Sequence, residues 1–116
     1  MANKFKAPSL AEITYNYLGL HKQRARQQDY DKLQNSFVKA LTRINKEEDI
    51  RAALALDKSR YLPVQMKSPA YERLLRIKGR TPELLREYAQ ELYDYGAEMQ
   101  DYADRLWDEA KALDEA

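Results

Sequence analysis

Apolar residues recur along this chain at three- and four-residue intervals, the spacing that lines one face of an α-helix. Ser9 and Glu12 stand at capping-box separation, and Leu10, Ile13, Tyr17 and Leu20 follow as one stripe. Across residues 21–28 (HKQRARQQ) the stripe disappears, so the first helix is expected to leave the core near Leu20. A second helix is predicted to start near Asp29 or Asp31, with Tyr30, Leu33, Phe37, Ala40, Leu41 and Ile44 inward. Glu47, Glu48 and Asp49 suit the positive end of a third, short helix that buries Ile50, Ala53, Leu54 and Leu56. Residues 57–67 read as the longest irregular connection. Ser68-Pro69 then reads as the start of a fourth short helix, with Tyr71, Leu74, Leu75 and Ile77 inward and Gly79 as its terminator.

Thr81-Pro82-Glu83 is the clearest helix start: a hydroxyl at the N-cap, proline at the first helical position, an acid in the first turn. Beyond it Leu85, Tyr88, Leu92, Tyr95, Met99, Tyr102, Leu106 and Leu113 keep a heptad rhythm interrupted only at Glu109. Ala89, Gly96, Ala103 and Ala110 form a second seven-residue row, and Glu87, Asp94, Asp101, Asp108 and Glu115 an acidic third. Three rows in register predict one helix over residues 82–114, about 50 Å long at about 1.5 Å per residue. Such a rod outruns a domain whose radius of gyration should be about 13 Å. Its seam is expected to be covered partly by the first two helices and partly by a second molecule. A different parse is also available. Tyr88, Ala89, Leu92 and Gly96, followed by Ala103, Trp107 and Ala110, loosely resemble a tetratricopeptide repeat, a helical hairpin of about 34 residues. Phe37, Ala40 and Leu41 recur about two such periods before Trp107, Ala110 and Lys111, although the intervening period does not fit and the turn after Gly96 is two residues too long. That parse folds the chain back around Gly96 and implies a repeat-type scaffold.

The fold class expected is therefore all-α, a small bundle of about five helices ending in a long amphipathic helix. One domain is expected, with residues 1–8 as a flexible lead, 9–80 as a basic helical body and 81–116 as a long acidic helix. Composition supports this: 44% hydrophobic and 34% charged residues suit a modest core under a charged surface, and 3 glycines with 4 prolines supply few turns for a β fold.

Charge is divided unevenly. Residues 1–80 carry 17 Lys/Arg against 8 Asp/Glu, and residues 81–116 carry 3 against 11, beneath a total of +1. The division points to an acidic partner, to internal or head-to-tail pairing, or to assembly. Lys22, Arg24, Arg26, Arg73, Arg76, Lys78 and Arg80 are the candidate nucleic-acid contacts, if they share one surface. No groove-reading motif accompanies them. Tyr93 and Trp107 fall off the apolar seam beside the acidic row, so they are candidate protein-interface anchors together with Asp94, Asp101 and Asp108. The plainer reading of both aromatics is burial under helices of the same chain.

Candidate chemistry is sparse. Zero cysteines exclude a disulfide framework, a thiolate nucleophile and cysteine-ligated metal. His21 is the single histidine, best read as a solvated residue at a helix exit. Acids seven residues apart lie about 10 Å apart along a helix, too far to share an ion. Glu98, Asp101, Asp104 and Asp108 are closer but read as a solvated face. No catalytic residue, cofactor, metal site or small-molecule substrate is expected. The start MANKFKAPS lacks a signal-like apolar region, and no apolar run nears the roughly 18 residues of a membrane span, which suggests a cytoplasmic protein without a membrane partner. The function expected is a non-enzymatic interaction module, an adaptor or assembly subunit binding a protein partner or itself. A nucleic-acid-binding subunit and the repeat-type scaffold are the alternatives.

Overall fold

A computed structural model describes residues 8–58 and 62–116. The expected N-terminal lead thus lies, apart from Pro8, outside the described residues. All regular structure among those residues is helical: α1 (Leu10–Gly19), a 3-10 turn (Leu20–Lys22), α2 (Gln27–Leu41), α3 (Glu47–Ala55), α4 (Val64–Lys78), α5 (Pro82–Tyr93) and α6 (Ala97–Glu115). The chain is an all-α bundle whose last helix, 19 residues, is its longest.

Most starts follow the chemistry of the first turn. Ser9 Oγ accepts from the Glu12 N–H at 3.1 Å, and Thr81 Oγ1 accepts from the Leu84 N–H at 3.2 Å. Asp29 Oδ2 accepts the Arg26 N–H at 3.0 Å, which sets the start of α2 at Gln27, earlier than the apolar stripe alone suggests. The start of α4 corrects the expectation more strongly. Pro63, extended at ψ 162°, is the N-cap, and its carbonyl accepts the Met66 and Lys67 N–H groups, each at 3.0 Å. Pro69 therefore lies inside the helix rather than at its first turn. The ring leaves the carbonyl of Gln65 without its usual donor, and Gln65 is exposed, where water can serve it.

The single rod over residues 82–114 is also corrected. α5 ends at Tyr93, and Gly96, at φ 93° and ψ −169°, turns the chain back into α6. Two facing helices each need an apolar stripe, and here Leu92, Tyr95 and Met99 carry the three-four count across the turn. Periodicity thus recorded two stripes and not their break. Leu85, Tyr88, Ala89 and Leu92 face Ala103, Leu106 and Ala110, all at most 1% exposed. The alanine row lets the backbones approach closely, and the hairpin covers its own seam except at Leu113, which is exposed near the end of α6. The cover expected from the first two helices comes from α6 and α4 instead, and no second molecule is required to hide it.

α1 packs on α2 and α3, α4 bridges α2, α3 and α5, and α6 closes the far side on α5. The product is a slab of 53 × 33 × 20 Å with a radius of gyration of 15.5 Å, above the roughly 13 Å of an equidimensional domain. Phe37, Ile50, Leu62, Met66, Leu74 and Leu85 form a continuous core through it. Tyr71 stacks on Tyr88 at 5.2 Å between centroids, and Tyr102 meets Tyr88 edge-on at 5.7 Å, so tyrosines tie α4, α5 and α6 together.

Gly96 occupies a backbone region that is essentially confined to glycine, while a Cβ there meets nothing within 4 Å. Gly96→Ala should therefore cost backbone strain alone, about 1–3 kcal/mol, with a lower urea midpoint at unchanged slope. A midpoint equal to that of the unsubstituted chain would contradict this turn.

Candidate functional site

The densest chemistry in the fold lies in a cleft of about 530 Å³ where α3, α4 and α5 meet. Lys67, on the first turn of α4, is buried, and its ammonium sits 2.5 Å from Asp57 Oδ2 and 3.1 Å from Glu91 Oε2. The Asp57 side chain is only 1% exposed, and its other oxygen accepts the Leu62 N–H at 3.1 Å. Tyr95 donates its hydroxyl to the Leu62 carbonyl at 2.5 Å, so the turn that redirects the chain also fixes the entry to α4. Alongside, Arg51 of α3 bridges Glu47 at 3.3 Å and Glu87 of α5, and Tyr71 donates to Glu87 at 2.8 Å.

Burial alone would lower the Lys67 pKa, but Asp57 and Glu91 hold it above the ordinary lysine value of 10.5. Burial alone would raise Glu87, yet the hydrogen bonds from Arg51 and Tyr71 hold it below the ordinary glutamate value of 4.5. Both groups are therefore fully ionised near neutral pH, far from the poise that proton transfer requires. The cleft is a charge lock between helices. Sequence reading missed it because Glu87 counts as one member of an acidic row and Lys67 as one of many lysines. The only available signal was that row running directly behind a basic segment.

The candidate nucleic-acid residues are placed in two groups. Arg73 donates from Nε to the Ile44 carbonyl at 2.9 Å and from Nη2 to Asn45 Oδ1 at 3.1 Å, closing the C-terminal end of α2. Lys78 pairs with Glu47 at 3.1 Å, and Arg80 grips both carboxylate oxygens of Glu109 at 2.6 and 2.7 Å. Arg76 is exposed on the last turn of α4. Lys22, Arg24 and Arg26 are exposed just ahead of α2, at its other end. The 15 residues of α2 separate the groups by about 22 Å. They do not form one patch.

Of the candidate protein-interface residues, Tyr93 is half-buried and donates its hydroxyl to Asp104 Oδ1 at 2.5 Å, which makes it a strut across the hairpin. Asp94 begins the turn, and its N–H donates to the Glu91 carbonyl. Asp101 and Asp108 are exposed on α6. Trp107 stands between Asp104 and Asp108 in sequence and is 41% exposed. Tyr15, 71% exposed on α1, is a further exposed aromatic, legible only as the residue that falls off the stripe of Leu10, Ile13 and Tyr17. Among the described residues no group of three His, Cys, Asp or Glu side chains is placed to hold a metal ion. No helix among them is long and apolar enough to cross a membrane. No protein-family model, curated protein or solved structure matches the chain.

Two outcomes check the charge lock. Lys67→Met leaves the buried Asp57 carboxylate unpaired and should cost about 3–5 kcal/mol in urea unfolding, whereas Asp57→Leu with Lys67→Met should recover much of the loss. Equal losses in the single and double variants would refute the pairing. Lowered carboxylates add stability above their unfolded pKa and lose it as pH falls through the folded one, and Glu47 and Glu109 are lowered as well, by Lys78 and Arg80 first. Stability should thus decline as pH drops below about 4.5, and Glu87→Gln should make the decline shallower. Identical pH profiles would exclude Glu87 from it.

Proposed function

We propose that this chain is a non-enzymatic helical interaction module, an adaptor or assembly subunit whose contact face is the outer side of α6. The observation that carries this reading is Trp107. The apolar stripe of α6 is already occupied against α5, and the chain's only tryptophan still stands 41% exposed at the flank of that stripe, one helical turn from the buried Ala103 and Ala110 and next to Asp104 and Asp108. Leaving a large apolar side chain partly wet forgoes part of the roughly 1.5–3 kcal/mol that full burial supplies. Tryptophan is also a residue type concentrated in binding hot spots. The cleft supports a binding role over a catalytic one, since Lys67 and Glu87 are held in their ionised forms by their partners.

The α5–α6 hairpin favours a second reading, a helical-repeat type of scaffold. It accounts for the turn at Gly96 and for the alanines between the helices. The N-terminal helices fit it less well, because α1 packs on both α2 and α3 rather than in successive hairpins.

Affinity capture with the unsubstituted chain, Trp107→Ala and Asp108→Lys tests the reading. A protein retained by the first and lost with both variants, whose purified form then shifts Trp107 emission, is the expected result. Retention indifferent to both substitutions would refute the α6 face. Labelled DNA and RNA should show no binding at about 150 mM salt; binding that falls steeply with salt and with Lys22→Glu, Arg24→Glu and Arg26→Glu would establish the nucleic-acid alternative instead.

A further inference from the structure

The end of the slab opposite α6 carries a groove of about 520 Å³ between the start of α1, the second half of α2 and α3. Its floor is apolar, from Leu10, Ile13, Ala40 and Ile44, and Lys39 and Arg43 stand at its edge with one carboxylate, Asp49. Lys39 and Arg43 are exposed, and the same exposed side of the chain continues through Lys46. The far end has the complementary character. α6 carries seven acids and two bases, and Trp107 stands partly exposed at the flank of its buried stripe. In between, Lys67 and Lys78 of α4 pair with Glu91 and Glu47, and Arg80, just beyond α4, pairs with Glu109. Lys39 and Arg43 at the groove and Asp104 and Asp108 on α6 are exposed charges of opposite sign on separate parts of the slab.

Resting on the α6 face described above, we infer that the chain docks head to tail with a second copy of itself, Trp107 of one copy entering the α1–α2–α3 groove of the next. Lys39 and Arg43 at the groove edge meet Asp104 and Asp108 beside the incoming ring, and a guanidinium over an indole face adds a cation–π contact. The groove lies within the usual size range of pockets that accept large apolar groups, about 300–1,000 Å³. A contact between different surfaces at opposite ends does not close on itself in a pair, so copies add in a row. The charge pairing is solvent-exposed, so salt weakens it.

Light scattering and sedimentation velocity on the full chain test this. The average mass should climb with concentration without stopping at a dimer, and should fall back as salt rises. A groove variant, Lys39→Glu with Arg43→Glu, and a tail variant, Trp107→Ala with Asp108→Lys, should each weaken association by roughly thirtyfold or more. Circular dichroism and urea midpoints confirm that each variant folds. Mixed one to one, the two variants should form a dimer and nothing larger, since only one competent groove and one competent tail remain. A mixture that stays monomeric overturns the inference, as do variants that assemble like the unsubstituted chain. An unsubstituted chain that remains monomeric at high concentration, while a foreign protein is still captured through Trp107, would overturn self-docking and leave the proposed function standing.

Discussion

An ammonium withdrawn from water must meet carboxylates or give up its proton, and Lys67 meets Asp57 and Glu91. The three groups come from three separate places in the chain: the exit of α3, the first turn of α4 and the last turns of α5. Holding them together fixes where α4 starts and how α5 lies across it. Arg51 repeats the device one step along, joining α3 to Glu87 of α5, where Tyr71 of α4 also binds. Removing Lys67 would strand the Asp57 carboxylate out of water, whereas Arg51 and Glu87 stay partly solvated.

Much of the fold was legible in the sequence because helices announce themselves locally. Ser9 and Thr81 cap the helices they were expected to cap, and the stripes of α1 and α2 turn inward. What was not legible depended on distant partners. Pro69 reads as a helix start by its own chemistry, and only the earlier cap at Pro63 makes it an interior residue. The heptad rows from Leu85 to Leu113 are equally compatible with a rod and with a hairpin, because both demand the same spacing on each helix. Gly96 carried the only local signal of a break. The candidate sites show the same division. The place of Trp107 off the seam was legible, though the sequence left its exposure and its burial both open, while the roles of Glu87, Lys67 and Arg73 required knowing which helix lies opposite.

The uneven distribution of charge takes on a different meaning once the layers are known. A basic first half and an acidic second half suggest a molecule waiting for an oppositely charged partner. In the fold Arg51, Lys67 and Arg80 pair with Glu87, Glu91 and Glu109, so part of that asymmetry is consumed internally. Exposed bases remain around α2, at Lys22, Arg24, Arg26, Lys39 and Arg43, and exposed acids on α6, at Asp101, Asp104 and Asp108.

The 20 Å thickness of the slab is that of about two helices laid one on the other. A body so thin has a shallow interior, and every helix but α4, which has no exposed residue from 66 to 75, keeps a wet flank along its length. Each such helix must then supply polar residues for that flank, whichever partner it lies against. The 34% of charged residues in the chain suits so thin a body, which has more surface to keep wet than a rounder one of equal length.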